Sequence, residues 1–368
     1  MSTTKSIPVT ILTGFLGSGK TTLLKRILGE HHGLKIAVIE NEFGEENIDN
    51  EILVVESQEQ IVQMSNGCIC CTIRGDLVEA LSDLAAKRKA GTLQFDQVVI
   101  ETTGLANPGP VAQTFFMDED IAEAYLLDAI ITLVDAKHAE HQLNDNEVAQ
   151  RQVGFADRLF ITKSDLVEPA QLSALKHRLL HMNPRAPQAV VNFGEADIKQ
   201  IFDLKGFNLN AKLEIDPDFL TEEDEHDHAH DHAHAHDDHA HSHDDCDHDQ
   251  GQCAHEGHDH AGHHHHVHHD DAIKSFVYRS DKPFDSKKLE DFLGGILQIY
   301  GEYLLRYKGV LYMKGVDRKV VFQGVHQMTG SDLAGKWLPT DHKCSKMVFI
   351  GKDLPKDLIT DGLDRCLV

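Results

Sequence analysis

At 368 residues and 41% hydrophobic content, the chain is long enough for two domains, each able to bury its own core. The formal charge of −25 is local, because residues 222–271 hold sixteen acidic side chains and no Lys or Arg, and setting these aside brings the remainder to −9. A mildly acidic fold with no concentrated basic face argues against nucleic acid as a partner, and the lack of any run of eighteen apolar residues argues against membrane insertion, so a cytoplasmic protein is expected.

The first predicted strand, Val9–Leu12, runs into Gly14-Phe15-Leu16-Gly17-Ser18-Gly19-Lys20-Thr21 and then into a helical stretch, Thr21–Leu28. This is the G-x-x-x-x-G-K-[ST] pattern in its required strand, loop, helix context. The glycines let backbone N–H groups turn inward around phosphates, and Lys20 places a cation on the β- and γ-phosphates. Thr21 offers a hydroxyl to Mg²⁺, and the helix presents its positive end to the anion. Gly14, Gly17, Ser18, Gly19, Lys20, Thr21 and Thr22 form the candidate phosphate site.

A strand at Ile36–Ile39 leads into Glu40-Asn41-Glu42-Phe43-Gly44-Glu45, where P-loop proteins keep a switch segment. Farther on, Asn66-Gly67-Cys68-Ile69-Cys70-Cys71 crowds three thiols into four residues, too close for three core positions on one strand face. Such a cluster reads as thiols for Zn²⁺, Cu⁺ or Co²⁺ and not as a disulfide framework, with inert buried cysteines as the alternative. The acidic stretch either completes a metal shell begun by the cysteines or is a solvated turn.

After a helix at Leu77–Lys87, the strand Gln97–Ile100 ends in Glu101-Thr102-Thr103-Gly104. A strand-end carboxylate and glycine belong where P-loop proteins hold the Mg²⁺ shell and sense the γ-phosphate, so Glu101 joins Lys20 and Thr21 as a candidate catalytic residue and Gly104 as a nucleotide contact. Strands at Ala129–Val134 and Arg158–Ile161 follow, the latter leading to Thr162-Lys163-Ser164-Asp165, the place of an Asn-Lys-x-Asp base-recognition element. A buried Asp165 would accept from guanine N1–H and the N2 amine while the Lys163 stem covers the base; adenine would leave it unpaired, at a cost of about 1 to 3 kcal/mol. Threonine at 162 lacks the amide of the usual Asn. The runs VTIL, IAVI, QVVI, AIITLV and RLFI are short, β-branched and nearly all apolar, predicting a mainly parallel sheet covered by helices on both faces.

Composition then divides the chain into a P-loop domain over residues 1–220, a disordered His/Asp-rich insert over 221–272 and a smaller α+β domain over 273–368. Nineteen of the 27 histidines lie between His226 and His269, with Cys246 and Cys253 among them. Neutral imidazoles on a flexible anionic chain give high capacity for Zn²⁺ or Ni²⁺ without fixed geometry, so His226, His228, His230, His263, His264, His265 and His266 are accessory ligand candidates that buffer or recruit metal. In the last domain SFVYR reads as a strand, KKLEDFLGGILQIY as a helix, and RYKGVLYM, KVVFQGVHQM and KMVFIGK as strands.

Taken in order, GFLGSGKTT, ENEFGE, NGCICC, ETTGLANPGP and TKSD resemble the CobW-like family of metallochaperone GTPases, and within it the YjiA-type branch. The similarity resumes in LLRYKG, FQGVHQM and MVFIGK, which look like the family's C-terminal domain. The resemblance implies a SIMIBI-class P-loop NTPase fold with a CobW-like C-terminal domain. It also implies slow GTP hydrolysis with Mg²⁺, and binding of Zn²⁺, Co²⁺ or Ni²⁺ coupled to nucleotide state. By motif matching it makes Lys163 and Asp165 base contacts, assigns Glu40, Glu45 and Cys70 to one transition-metal site, and makes Cys68 and Cys71 parts of the C-x-C-C element. The expected function is GTP-driven transfer of metal, zinc foremost, to client metalloproteins, with self-association into a homodimer left open. A metal store with a slow sensory GTPase core is the alternative, and a P-loop kinase with an incidental cysteine cluster is a third reading.

Overall fold

In the computed structural model, residues 6–40, 73–207 and 271–368 are described. The first sheet contains β1 (Ile7–Gly14), β2 (Ile36–Glu40), β3 (Gln97–Glu101), β4 (Tyr125–Asp135), β5 (Arg158–Thr162) and β6 (Gln188–Val190). Their spatial order is β2-β3-β1-β4-β5-β6, every neighbouring pair parallel. Between and beside them run α1 (Lys20–Gly29), α2 (Ile73–Lys89), α3 (Pro108–Met117), α4 (Glu119–Ala124), α5 (Ala139–Asp145), α6 (Glu147–Phe155) and α7 (Pro169–Met182).

The apolar runs predicted as strands are buried on both faces, as their composition requires. Alternate residues go to opposite sides: Val9 and Ile11 face one core with Leu81, Phe115 and Val153, while Leu12 faces the other with Leu23, Leu24 and Ile27 of α1. Because β2 and β3 lie to one side of β1 and β4 to β6 to the other, the chain reverses direction across the sheet at β1. That reversal opens a crevice beyond the strands' carboxyl ends, where Gly14, Glu101, Asp135 and Thr162 all terminate their strands.

The second sheet is antiparallel, ordered β10-β9-β8-β11-β7, from β7 (Ile273–Ser280), β8 (Leu304–Leu311), β9 (Arg318–Val325), β10 (Met328–Lys336) and β11 (Ser345–Lys352). Two helices accompany it: α8 (Ser286–Tyr300), capped by Asp285, and α9 (Lys356–Arg365). On α8, Leu289, Leu293, Ile296 and Leu297 recur at helical spacing and bury against Tyr307, Phe322, Met347 and Phe349, with Ile359 and Leu363 of α9 alongside.

Two expectations change here. KVVFQGVHQM is not one strand: the chain turns at His326-Gln327, with His326 at φ 53°, and Val325 pairs with Met328 across the hairpin. The segment Met328–Lys336, MTGSDLAGK, is an additional strand whose polar, glycine-bearing sequence suits an exposed edge paired only with β9. Helix α9 was likewise not anticipated.

The second sheet's other face is covered by the first domain. Leu305, Val325, Val348 and Ile350 share a core cluster with Val153, Phe155 and Ala156. At this junction Asp157 accepts from Arg306 at 2.6 Å and Lys308 at 2.7 Å, all three buried, and its second oxygen accepts from the Ile130 N–H. Arg306 also stacks 3.6 Å over the Phe207 ring. Arg178 donates to both carboxylate oxygens of Asp271, and Lys352 reaches Glu147 at 2.7 Å. His326 at the hairpin tip is buried edge-on against Phe155.

Candidate functional site

The loop after β1 has the backbone the phosphate motif calls for. Gly17 and Gly19 hold φ of 75° and 96°, left-handed conformations that aim successive N–H groups to one side, and α1 begins immediately after at Lys20. Gly14 is required for a different reason, close approach: a Cβ there would stand 2.4 Å from the Leu133 carbonyl of β4. Lys20 is buried and its Nζ donates to the carbonyls of Gly14 at 2.8 Å and Phe15 at 3.3 Å, which pins the loop. Burial lowers the Lys20 pKa, opposed by the nearby Glu101 carboxylate. Thr21 and Thr22 lie exposed on the first turn of α1, whereas Ser18 is fully buried.

Glu101 ends β3 where sequence placed it, and the Thr21 hydroxyl donates to its Oε1 at 2.8 Å. Two hard oxygen donors at a helix start and a strand end are the ligand type Mg²⁺ takes, so the residues fit that ion. Gly104 packs directly beneath the phosphate loop, since a Cβ there would lie 2.7 Å from the Leu16 nitrogen. Gln152 of α6 holds this segment by donating to the carbonyls of Gly104 at 3.2 Å and Ala106 at 3.0 Å. Asn107 then caps α3 through the Gly109 N–H, and an added Cβ on Gly109 would meet His326 Nε2 at 2.7 Å. The ten residues Glu101–Pro110 therefore run from the phosphate site to the second sheet.

On the base side, Thr162 replaces the usual Asn with a different tie. Its hydroxyl donates to the Ser18 carbonyl at 2.9 Å and lies 3.3 Å from the Val134 carbonyl, joining the base-recognition loop to the phosphate loop. Lys163, at φ 55°, donates to Asp135 Oδ2 at 2.6 Å. Burial pushes the Asp135 carboxyl up, but Lys163 and His138 outweigh it and hold the group below the usual range. Asp165 is exposed on the short 3-10 turn Ser164–Leu166, not buried as expected, so its pairing demand arises only under a base that covers it. Asn192 supports that turn by accepting from the Ser164 N–H at 3.0 Å.

Glu40 is the last residue of β2, and the register sets its backbone beside Glu101. Glu45, Cys68, Cys70, Cys71 and the accessory His226, His228, His230, His263, His264, His265 and His266 lie outside the described residues. Sequence reading missed Asp135, Gln152 and Asn192. The carboxylate closing the apolar run AIITLVD was the available signal for Asp135; nothing local marked the other two.

A parallel sheet reversed at β1, a glycine loop feeding a helix, and carboxylates at adjacent strand ends define the P-loop nucleoside triphosphatase class. The family description "CobW/HypB/UreG, nucleotide-binding domain" matches residues 8–190, and "Cobalamin synthesis protein cobW C-terminal domain" matches residues 273–367. The chain is 39% identical to the zinc chaperone YjiA of Escherichia coli (strain K12) over 96% of each protein. It is 31% identical to the zinc chaperone CobW of Pseudomonas aeruginosa over 100% of this chain and 93% of that protein. The crystal structure of the Zn(II)-bound YjiA GTPase from E. coli superimposes with a TM-score of 0.72 at 34% identity, over 99% of this chain and 100% of that one. This chain belongs to the CobW/HypB/UreG family.

Proposed function

We propose that the chain is a GTP-hydrolysing metallochaperone that couples its nucleotide cycle to transfer of a transition metal, zinc foremost and Co²⁺ or Ni²⁺ by the same chemistry, to client metalloproteins. The observation that carries this reading is the convergence of Lys20, Thr21 and Glu101 on one strand-end crevice, in a family whose relatives above are named zinc chaperones. Lys20 and the loop N–H groups bind the phosphates, while Lys163 and Asp165 face the guanine. Thr21 and Glu101 would hold Mg²⁺, which when bound supplies positive charge to the phosphate oxygens.

The metal cargo is assigned to Glu40, Glu45, Cys68, Cys70 and Cys71, a mixed carboxylate and thiolate set suited to zinc. With Glu40 in register with Glu101, a change in the phosphate site is felt one strand away from the cargo. The segment Glu101–Pro110 carries the same change to the second sheet through Gly109 and His326. The histidine-rich segment serves as a buffer, and the protein works in the cytoplasm without nucleic acid or membrane partners. Self-association into a homodimer is part of this reading, and sedimentation with and without nucleotide tests it.

The test is a Zn²⁺ titration of the full chain and of a chain lacking residues 226–269, each with and without GTP analogue and Mg²⁺, with GTP turnover followed in parallel. One tight site that survives truncation, shifts with nucleotide and is lost in Cys70→Ala is the expected result. If all affinity leaves with the histidines and turnover ignores metal, the second reading holds: a metal store with a slow sensory GTPase core, which the nineteen clustered histidines alone would favour.

A further inference from the structure

Two histidines of α7 stand apart from every role given above. His177 and His181 are both exposed, one helical turn apart on the same face, with Nε2 atoms 3.2 Å from each other. Their ring centroids are 4.4 Å apart and the planes cross at 70°. Two imidazole nitrogens bound to one tetrahedral Zn²⁺ at bond lengths of about 2.0 to 2.1 Å stand about 3.3 Å apart, the separation found here to within a tenth or so of an ångström. We propose that His177 and His181 form a two-histidine site for a zinc-class divalent cation.

The protons balance without a co-reactant. In the metal-free pair one ring donates its Nε2 proton to the other; on binding, that ring carries its proton on Nδ1 instead, and both Nε2 lone pairs face the ion. The helix turn that holds the pair is anchored. Arg178, between the two histidines, is buried and paired with Asp271, the Ser275 hydroxyl donates to the His181 carbonyl at 2.9 Å, and Asn183 just beyond donates to the carbonyls of Val153 and Ala156. An anchored backbone limits the entropy lost when two exposed side chains are fixed by an ion.

Among the described residues no group of three or more His, Cys, Asp or Glu side chains is placed to hold a metal. Two histidines supply half of a tetrahedral shell, so among the described residues this is an open site suited to exchange and not a closed structural one. The role as an exchange point rests on the metal-handling reading; the site itself rests only on the geometry of α7.

The test is diethyl pyrocarbonate modification of the full, nucleotide-free chain across a Zn²⁺ titration, read residue by residue by mass spectrometry. His177 and His181 are expected to be protected with one shared midpoint, while exposed His342, which faces Asp281, is not. His177→Gln should move the midpoint for His181 by about tenfold or more, as expected when a second linked ligand is removed. Protection of His181 that survives His177→Gln unchanged, or no protection of either residue at Zn²⁺ that fills the histidine-rich segment, would overturn the site. Metal-dependent GTP turnover in the same variant is expected to persist, so loss of the α7 site and loss of the chaperone reading are separate results.

Discussion

The central strands of the two sheets are buried on two faces, but they reach that state differently. The parallel sheet is enclosed by helices of its own domain, and its strands are mainly apolar, with Thr10, Asp128 and Thr132 buried among them. The antiparallel sheet is covered on one face by α8 and α9 and on the other by the nucleotide domain, so its second face carries Arg306 and Lys308 as well as Leu305 and Ile350. The first arrangement is self-sufficient and free to specialise at its strand ends. The second depends on a neighbour, and its buried cations require the neighbour's carboxylate, Asp157.

The comparison predicts that strand-end substitutions cost activity while junction substitutions cost stability. Lys20→Ala should lower GTP turnover by at least about 100-fold, measured by phosphate release, because it removes a charge aimed at developing phosphate charge. Its melting temperature should change little by comparison. Asp157→Ala should do the reverse. Removing the carboxylate charge from beside buried Arg306 and Lys308 should cost about 3 to 5 kcal/mol, read by denaturant unfolding, with GTP affinity of the folded fraction preserved. Should Asp157→Ala unfold no more easily than the parent, the junction is not held by this cluster.

Asp165→Asn sharpens the same contrast within the nucleotide site. Exchanging an acceptor for an amide should weaken GTP by about 1 to 3 kcal/mol, and xanthosine triphosphate, whose O2 accepts where guanine donates, should become the better ligand. Equal binding of both nucleotides by parent and variant would remove Asp165 from base recognition.

The smallest effect concerns pH. Burial against Phe155 and Gly109 lowers the His326 pKa below 6.5, so the unfolded chain binds the proton more readily than the folded one. Stability contributed by neutral His326 is then complete above pH 6.5 and is lost as pH falls through the folded-state value. Thermal unfolding between pH 7.5 and 5.5 should decline more steeply in the parent than in His326→Gln; parallel slopes would clear His326 of this role.

Much of the nucleotide site was legible in order along the chain. Gly14–Thr21, Glu101 and Thr162–Asp165 each sit at the end of an apolar run, and any parallel sheet brings strand ends to one edge. What could not be read locally were the supports. Gln152 acts on Gly104 across 48 positions in the chain, and Asn192 acts on Ser164 across 28. The edge strand Met328–Lys336 escaped notice because an exposed edge needs no apolar alternation, and the KVVFQGVHQM run concealed a hairpin because its turn uses His326 where glycine or asparagine is customary.

Sequence alone therefore determined the class of chemistry. A backbone that must pass close to phosphates needs glycine at given spacings, and strands covered on both faces need largely apolar runs, so both constraints are written in neighbouring residues. Tertiary structure alone decided the exposure of Asp165, the tie from Thr162 to Ser18 and the pairing of Asp157 with two cations of the second sheet. These depend on how elements dock and on which rotamers that docking permits, and neither quantity is encoded in any short stretch of the chain.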